Sequence, residues 1–94
     1  MDEYGEIKMY WFKIVRTNRS KQFAVNSDWT MTEFIEKMKP DLLNFLRTEF
    51  STVDDVDIFD NTTKEQYKQC IVPEDKMVRE KYDLQNLAFY VKAT

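Results

Sequence analysis

Thr30-Met31-Thr32-Glu33-Phe34-Ile35-Glu36-Lys37-Met38 is the stretch that decides the fold. Thr30 and Glu33 form a capping-box pattern just ahead of an apolar run. The threonine hydroxyl accepts from the Glu33 amide, and the Glu33 carboxylate accepts from the Thr30 amide, so donors that a helix start leaves unpaired are satisfied. Met31, Phe34, Ile35 and Met38 then recur at i, i+3, i+4 and i+7, a single apolar stripe at helical period. The spacing predicts a helix from Thr30 to Lys39 with one buried face. Pro40 removes an amide and disfavours helical geometry at Lys39. Beyond it, Leu42, Leu43, Phe45, Leu46 and Phe50 predict a second short helical segment over 41–49, either collinear with the first or kinked from it.

Upstream, residues 7–16 (Ile-Lys-Met-Tyr-Trp-Phe-Lys-Ile-Val-Arg) are aromatic and β-branched, as suits a pleated strand. Two registers are open, because Tyr10, Phe12 and Ile14 share one face while Met9, Trp11 and Val15 share the other. Thr17-Asn18-Arg19-Ser20 is a polar turn, and residues 21–26 alternate with Phe23 and Val25 on one side, so the pair is expected to be a β-hairpin. Downstream, 53–60 reads as a short strand with Val56 and Ile58 inward. Residues 61–69 read as a loop or helical turn, and Cys70-Ile71-Val72 as a brief strand stopped by Pro73. Residues 74–86 are charged, anchored by Met77, Val78, Tyr82 and Leu84. Leu87, Phe89 and Val91 alternate against Ala88, Tyr90 and Lys92 in a last strand. The order places one helix across one face of a mixed sheet, with the two greasiest strands, first and last, side by side in its centre.

Length and composition bound the rest. The 94 residues suit one domain over 1–94, with 1–6 a flexible lead-in, and 43% hydrophobic with 15% aromatic content is too apolar for a disordered chain. There is no histidine, which removes the commonest general base and metal ligand. Cys70 is alone, so no internal disulfide is possible. No stretch approaches the ~20 apolar residues of a membrane span, and the acidic start does not resemble a secretion signal. An intracellular setting, cytoplasmic or nuclear, is therefore expected. Residues 1–47 hold eight Lys/Arg and seven Asp/Glu; residues 48–94 hold six and ten. A chain of net charge −3 without an extended basic stripe predicts no nucleic-acid partner.

The arrangement is that of a β-grasp, and the residues resemble the ubiquitin superfamily. Phe23-Ala24-Val25 leads through Ser27-Asp28-Trp29 to the Thr30-capped helix, with Met31, Phe34 and Met38 at the anchor positions. Ile58-Phe59, Glu74-Asp75 and Tyr82-Asp83-Leu84-Gln85 follow in the superfamily's order, so the similarity spans roughly residues 8–92. The resemblance implies an α+β domain, a ubiquitin-like mixed sheet packed on one main helix, that works by binding proteins. Its departures concern conjugation: the sequence ends Val91-Lys92-Ala93-Thr94, and no glycine follows Gly5, so a covalent modifier is not expected. The stretch from Pro40 to Val53 and the loop 60–70 are also longer than ubiquitin's counterparts.

No catalytic constellation emerges. Cys70 has no histidine to activate it and sits before Ile71-Val72, which predicts a buried structural thiol. Asp54, Asp55, Asp57 and Asp60 lack the glycine and terminal glutamate of an EF-hand loop. No cofactor, metal, membrane or small-molecule substrate is therefore expected, nor an enzyme. What remains is a surface. If Tyr10, Phe12 and Ile14 face the helix, then Met9, Trp11 and Val15 face out beside Ala88 and Tyr90, rimmed by Lys13, Arg16 and Lys92. Met9, Trp11, Lys13, Val15, Tyr90 and Lys92 are the candidate partner-binding residues, since Trp, Tyr and Arg dominate interface hot spots. Trp29, just before the helix, is expected to staple its entry. The functional expectation is a non-catalytic adaptor with protein partners on the outer sheet face. The alternative is a structural subunit of a larger assembly, such as a viral or cytoskeletal complex.

Overall fold

The computed structural model describes residues 7–60, 70–82 and 88–94. Strands β1 (Ile7–Ile14) and β2 (Ser20–Asn26) precede helix α1 (Met31–Leu46). Strand β3 (Val56–Asp60), the one-turn helix α2 (Val78–Lys81) and strand β4 (Ala88–Ala93) follow. The sheet runs β2-β1-β4-β3. Its outer pairs, β1 with β2 and β3 with β4, are antiparallel, and the central pair, β1 with β4, is parallel. The chain is thus α+β, a mixed four-stranded sheet with one main helix and one short one. The expected Tyr82-to-Gln85 segment falls, after Tyr82, outside the described residues, as do 1–6, 61–69 and Leu87.

The capping box at the start of α1 forms in both directions. The Thr30 hydroxyl accepts from the Glu33 amide at 3.1 Å, and a Glu33 carboxylate oxygen accepts from the Thr30 amide at 3.1 Å. Helix α1 does not break at Pro40: of the two arrangements the sequence leaves open, residues 41–46 are collinear with the first segment and continue it, the helix ending at Leu46. The reason lies in which face the proline occupies. Pro40 and Glu36 are both exposed, so water can take the carbonyl that loses its partner. Met38 and Leu42, one turn apart on the other face, are fully buried. An interior proline costs about 3 kcal/mol. The buried stripe of Met31, Phe34, Met38, Leu42, Phe45 and Leu46, at about 1.5–3 kcal/mol per side chain, outweighs it.

That stripe lies on the sheet face formed by Tyr10, Phe12 and Ile14 of β1 and by Phe89 and Val91 of β4, all buried. Aromatic contacts centre the core. Phe12 and Phe89 stack at 5.0 Å between ring centroids, Phe34 lies 5.1 Å from Phe89, and Phe23 meets Phe12 edge-on at 5.4 Å. These contacts settle the β1 register in favour of Tyr10, Phe12 and Ile14 inward.

Two further expectations are corrected. Cys70-Ile71-Val72 is not a strand: among the described residues only one ladder-like bond is seen there, the Ile71 amide donating to the Ile58 carbonyl at 2.9 Å, and Val72 is exposed. Pro73 removes a donor just where pairing would have to continue. The hairpin turn also begins earlier than Thr17. The Thr17 amide donates to the Ile14 carbonyl at 3.2 Å, which closes a turn over 14–17. Arg16 sits third in it, with φ 69°. The charged segment near 74–79 anchors the start of α1. Met31 and Thr32 amides donate to the Lys76 and Glu74 carbonyls, and Val78 and Arg79 amides donate to those of Trp29 and Ser27. Trp29 is half-buried against the core, with Lys37 Nζ 5.8 Å from its ring centroid.

Candidate functional site

Strand pairing fixes what the outer face of the sheet presents. Alternation along β1 sends Ile7, Met9, Trp11 and Lys13 away from the helix. The register sets Met9 opposite Ala24 and Trp11 opposite Gln22 on β2. On the other side, Trp11 lies beside Ala88 and Lys13 beside Tyr90 on β4. Ile7, Met9 and Trp11 are 65%, 53% and 51% exposed, a continuous apolar stripe along one strand. Isolated exposed apolar residues are ordinary, but three aligned on one strand face form a patch.

The predicted residues separate cleanly. Met9, Trp11, Lys13 and Lys92 are exposed and Tyr90 is half-buried on this same face. Val15 does not belong to it. It is only 8% exposed, and its amide donates to the Val91 carbonyl at 2.9 Å. The physical reason is that β1 ends at Ile14. Beyond that point the chain leaves the pleat for the turn that holds Arg16 at positive φ, so strand parity no longer says where a side chain goes.

The face is also asymmetric. Phe59 of β3 pairs with Tyr90, on the outer side by alternation, yet is buried. The β3 side is therefore closed, and the open apolar surface lies over β1. Ile7 and Ala24 join it although the residue pattern did not single them out. The signal was available: Ile7 has the parity of Met9 and Trp11, and Ala24 is a small exposed residue on the neighbouring strand.

Charges distinguish one end of this face. Arg19, Lys39, Arg79 and Lys81 are paired with Glu49, Asp55, Asp28 and Glu74 at 3.0–3.2 Å. Lys21 and Lys37 lie over the rings of Phe23 and Trp29. Lys13, Arg16 and Lys92 have no such partner among the described residues. Cys70, expected to be buried, is half-buried. Burial and then the nearby Asp57 carboxylate push its thiol above the ordinary value, away from the thiolate a nucleophile needs. Among the described residues no three Cys, Asp or Glu side chains cluster closely enough to hold a metal ion, and no helix is long and apolar enough to cross a membrane.

Comparison of the chain with known protein families, with curated proteins and with solved structures finds no significant match.

Proposed function

We propose that this chain is a non-catalytic protein-interaction module of the β-grasp, ubiquitin-like kind that docks a protein partner on the outer face of its sheet, around Trp11. The fold part of the reading is supported by the strand order β2-β1-β4-β3, its parallel central pair, and a capped helix laid across one face. The observation that carries the functional part is the exposed run of Ile7, Met9 and Trp11 on a rigid central strand. A tryptophan half out of water leaves apolar surface that a partner can bury, and such residues provide the largest single contributions at interfaces, about 2 kcal/mol or more. Placement on a strand paired on both sides keeps the ordering cost of binding low.

The test compares proteins captured by the immobilised chain with those captured by its Trp11→Ala and Gln22→Ala variants, each checked for a folded circular dichroism spectrum. A specific partner is lost or weakened about 30-fold with Trp11→Ala and retained with Gln22→Ala. A partner bound equally by all three overturns the reading.

A further inference from the structure

The two edges of the sheet, β2 and β3, are treated differently. Beside β3, the Val56 amide donates to the Asp55 carboxylate at 2.8 Å, and the Ile58 carbonyl accepts from the Ile71 amide at 2.9 Å. Beside β2, nothing comparable is seen among the described residues. The Ile14 amide donates to the Arg19 carbonyl at 2.9 Å. With Ile7 opposite Asn26, this makes Phe12 with Lys21, Tyr10 with Phe23, and Lys8 with Val25 the hydrogen-bonded pairs. The amides and carbonyls of Ser20, Gln22 and Ala24 therefore point away from β1, and all three residues are exposed.

Edge strands are ordinarily guarded by shortness, proline, bulges or charge. β2 has seven residues, no proline, and an unbroken register with β1. Lys21 is its one charged residue, and it lies back over the Phe23 ring, 5.4 Å from the centroid. The backbone thus fixes what can occupy this edge: an extended strand that supplies donors and acceptors at the same spacing.

We infer that β2 pairs antiparallel with β2 of a second copy of this chain about a two-fold axis at Gln22, joining two four-stranded sheets into one of eight strands. This goes beyond the docking role of Trp11 and does not rest on it. The position of the axis follows from the free groups. Centred on Gln22, the outward groups of Ser20 meet those of Ala24 in the other copy and Gln22 meets its own counterpart, for about six hydrogen bonds. An axis at Ala24 would need Asn26, whose carbonyl already accepts from the Trp29 amide at 3.1 Å.

The side chains suit the same register. Ser20 faces Ala24, and Lys21 faces Phe23 of the other copy, so no like charges are opposed. Phe23 lines a groove of about 320 Å³ together with Phe45 and Asp41 of α1, so the arriving ammonium meets an aromatic ring with a carboxylate in the same groove. Closed two-fold pairing of this kind is the commonest form of self-association. It leaves both Trp11 side chains on one face, about 14 Å apart across three strand spacings.

The experiment measures the mass of the isotope-labelled chain by sedimentation up to about 1 mM, and its amide exchange by NMR in dilute and concentrated samples. The mass is expected to rise toward that of a dimer, and the Ser20, Gln22 and Ala24 amides to exchange several-fold more slowly in the concentrated sample. The Lys21 and Phe23 amides, already bonded to β1, should not change. Ala24→Pro removes an outward donor without touching a bond to β1, and is expected to weaken association about tenfold or more while the circular dichroism spectrum stays folded. Gln22→Lys, at an exposed position, sets like charges opposite each other at the axis and is expected to weaken it too. A chain that stays monomeric at about 1 mM overturns self-pairing and leaves the edge to a strand of another protein. A dimer indifferent to both variants, or one that protects amides at 7–11 in place of 20–24, also overturns it.

Discussion

Trp11 and Phe12 are neighbours in sequence on opposite faces of one strand, and replacing each by alanine separates surface from core. Phe12 is fully buried, 5.0 Å from Phe89 and 5.4 Å from Phe23 between ring centroids. Removing it deletes its transfer free energy and opens a cavity, together about 3–5 kcal/mol. Domains of this size are stabilised by about 5–14 kcal/mol in all, so Phe12→Ala consumes a large part of it. Trp11 is 51% exposed. About half of its 150–250 Å² is removed from water by its sheet neighbours, which at about 25 cal/mol per Å² is at most ~3 kcal/mol. The unfolded chain already hides part of that area, and an open surface site leaves no enclosed void, so about 1–1.5 kcal/mol is expected. Thermal unfolding followed by circular dichroism resolves the two. At roughly 4–8 °C per kcal/mol for a chain this short, Trp11→Ala should lower Tm by about 5–10 °C and Phe12→Ala by at least about 15 °C. Equal losses would refute the assignment of the two faces and, with it, the docking surface.

Three other perturbations follow from particular sites. Pro40→Ala restores a helical amide on the exposed side of α1 and should raise stability by about 1–2 kcal/mol in urea titration, the helix gain exceeding the entropy returned to the unfolded chain; a loss would mean that the proline shapes α1. Arg16→Gly relieves the positive φ and should leave stability unchanged or raise it by up to about 1 kcal/mol; a clear decrease would show that Arg16 supports the fold itself. Burial, followed by the Asp60 and Glu74 carboxylates, pushes the Tyr82 phenol well above its ordinary value of 10.0. Its neutral form is thus favoured by folding, and that stability is complete below pH ~10 and lost as pH rises beyond it. Tyr82→Phe should flatten the alkaline fall seen in unfolding curves taken from pH 9 upward, and an unchanged fall would place the sensitive group elsewhere.

How far residues alone reveal this molecule depends on whether the deciding interaction is local. The start of α1 was legible because its capping partners lie three residues apart and its stripe repeats within two turns. β1 was not fully legible, because both its faces are apolar. Only the distant Phe34 and Phe89, packed on Phe12, select between them. Pro40 misleads for a related reason: a local penalty on the exposed face is outweighed by Met38 and Leu42 packing on the other. Val15 fails as a surface residue because alternation holds only while the chain stays pleated, and the turn at Arg16 ends it. The candidate face was legible in Met9, Trp11, Lys13 and Lys92. Its closure on the β3 side, through Phe59, depends on pairing between segments far apart in sequence.

The most direct test of outer-face docking places a photo-crosslinking residue at position 11 in one variant and at position 37, on the exposed side of α1, in another. Irradiation with the native partner present should yield a covalent adduct from position 11 and none from position 37. An adduct formed from the helix position alone would contradict the docking role assigned to the sheet.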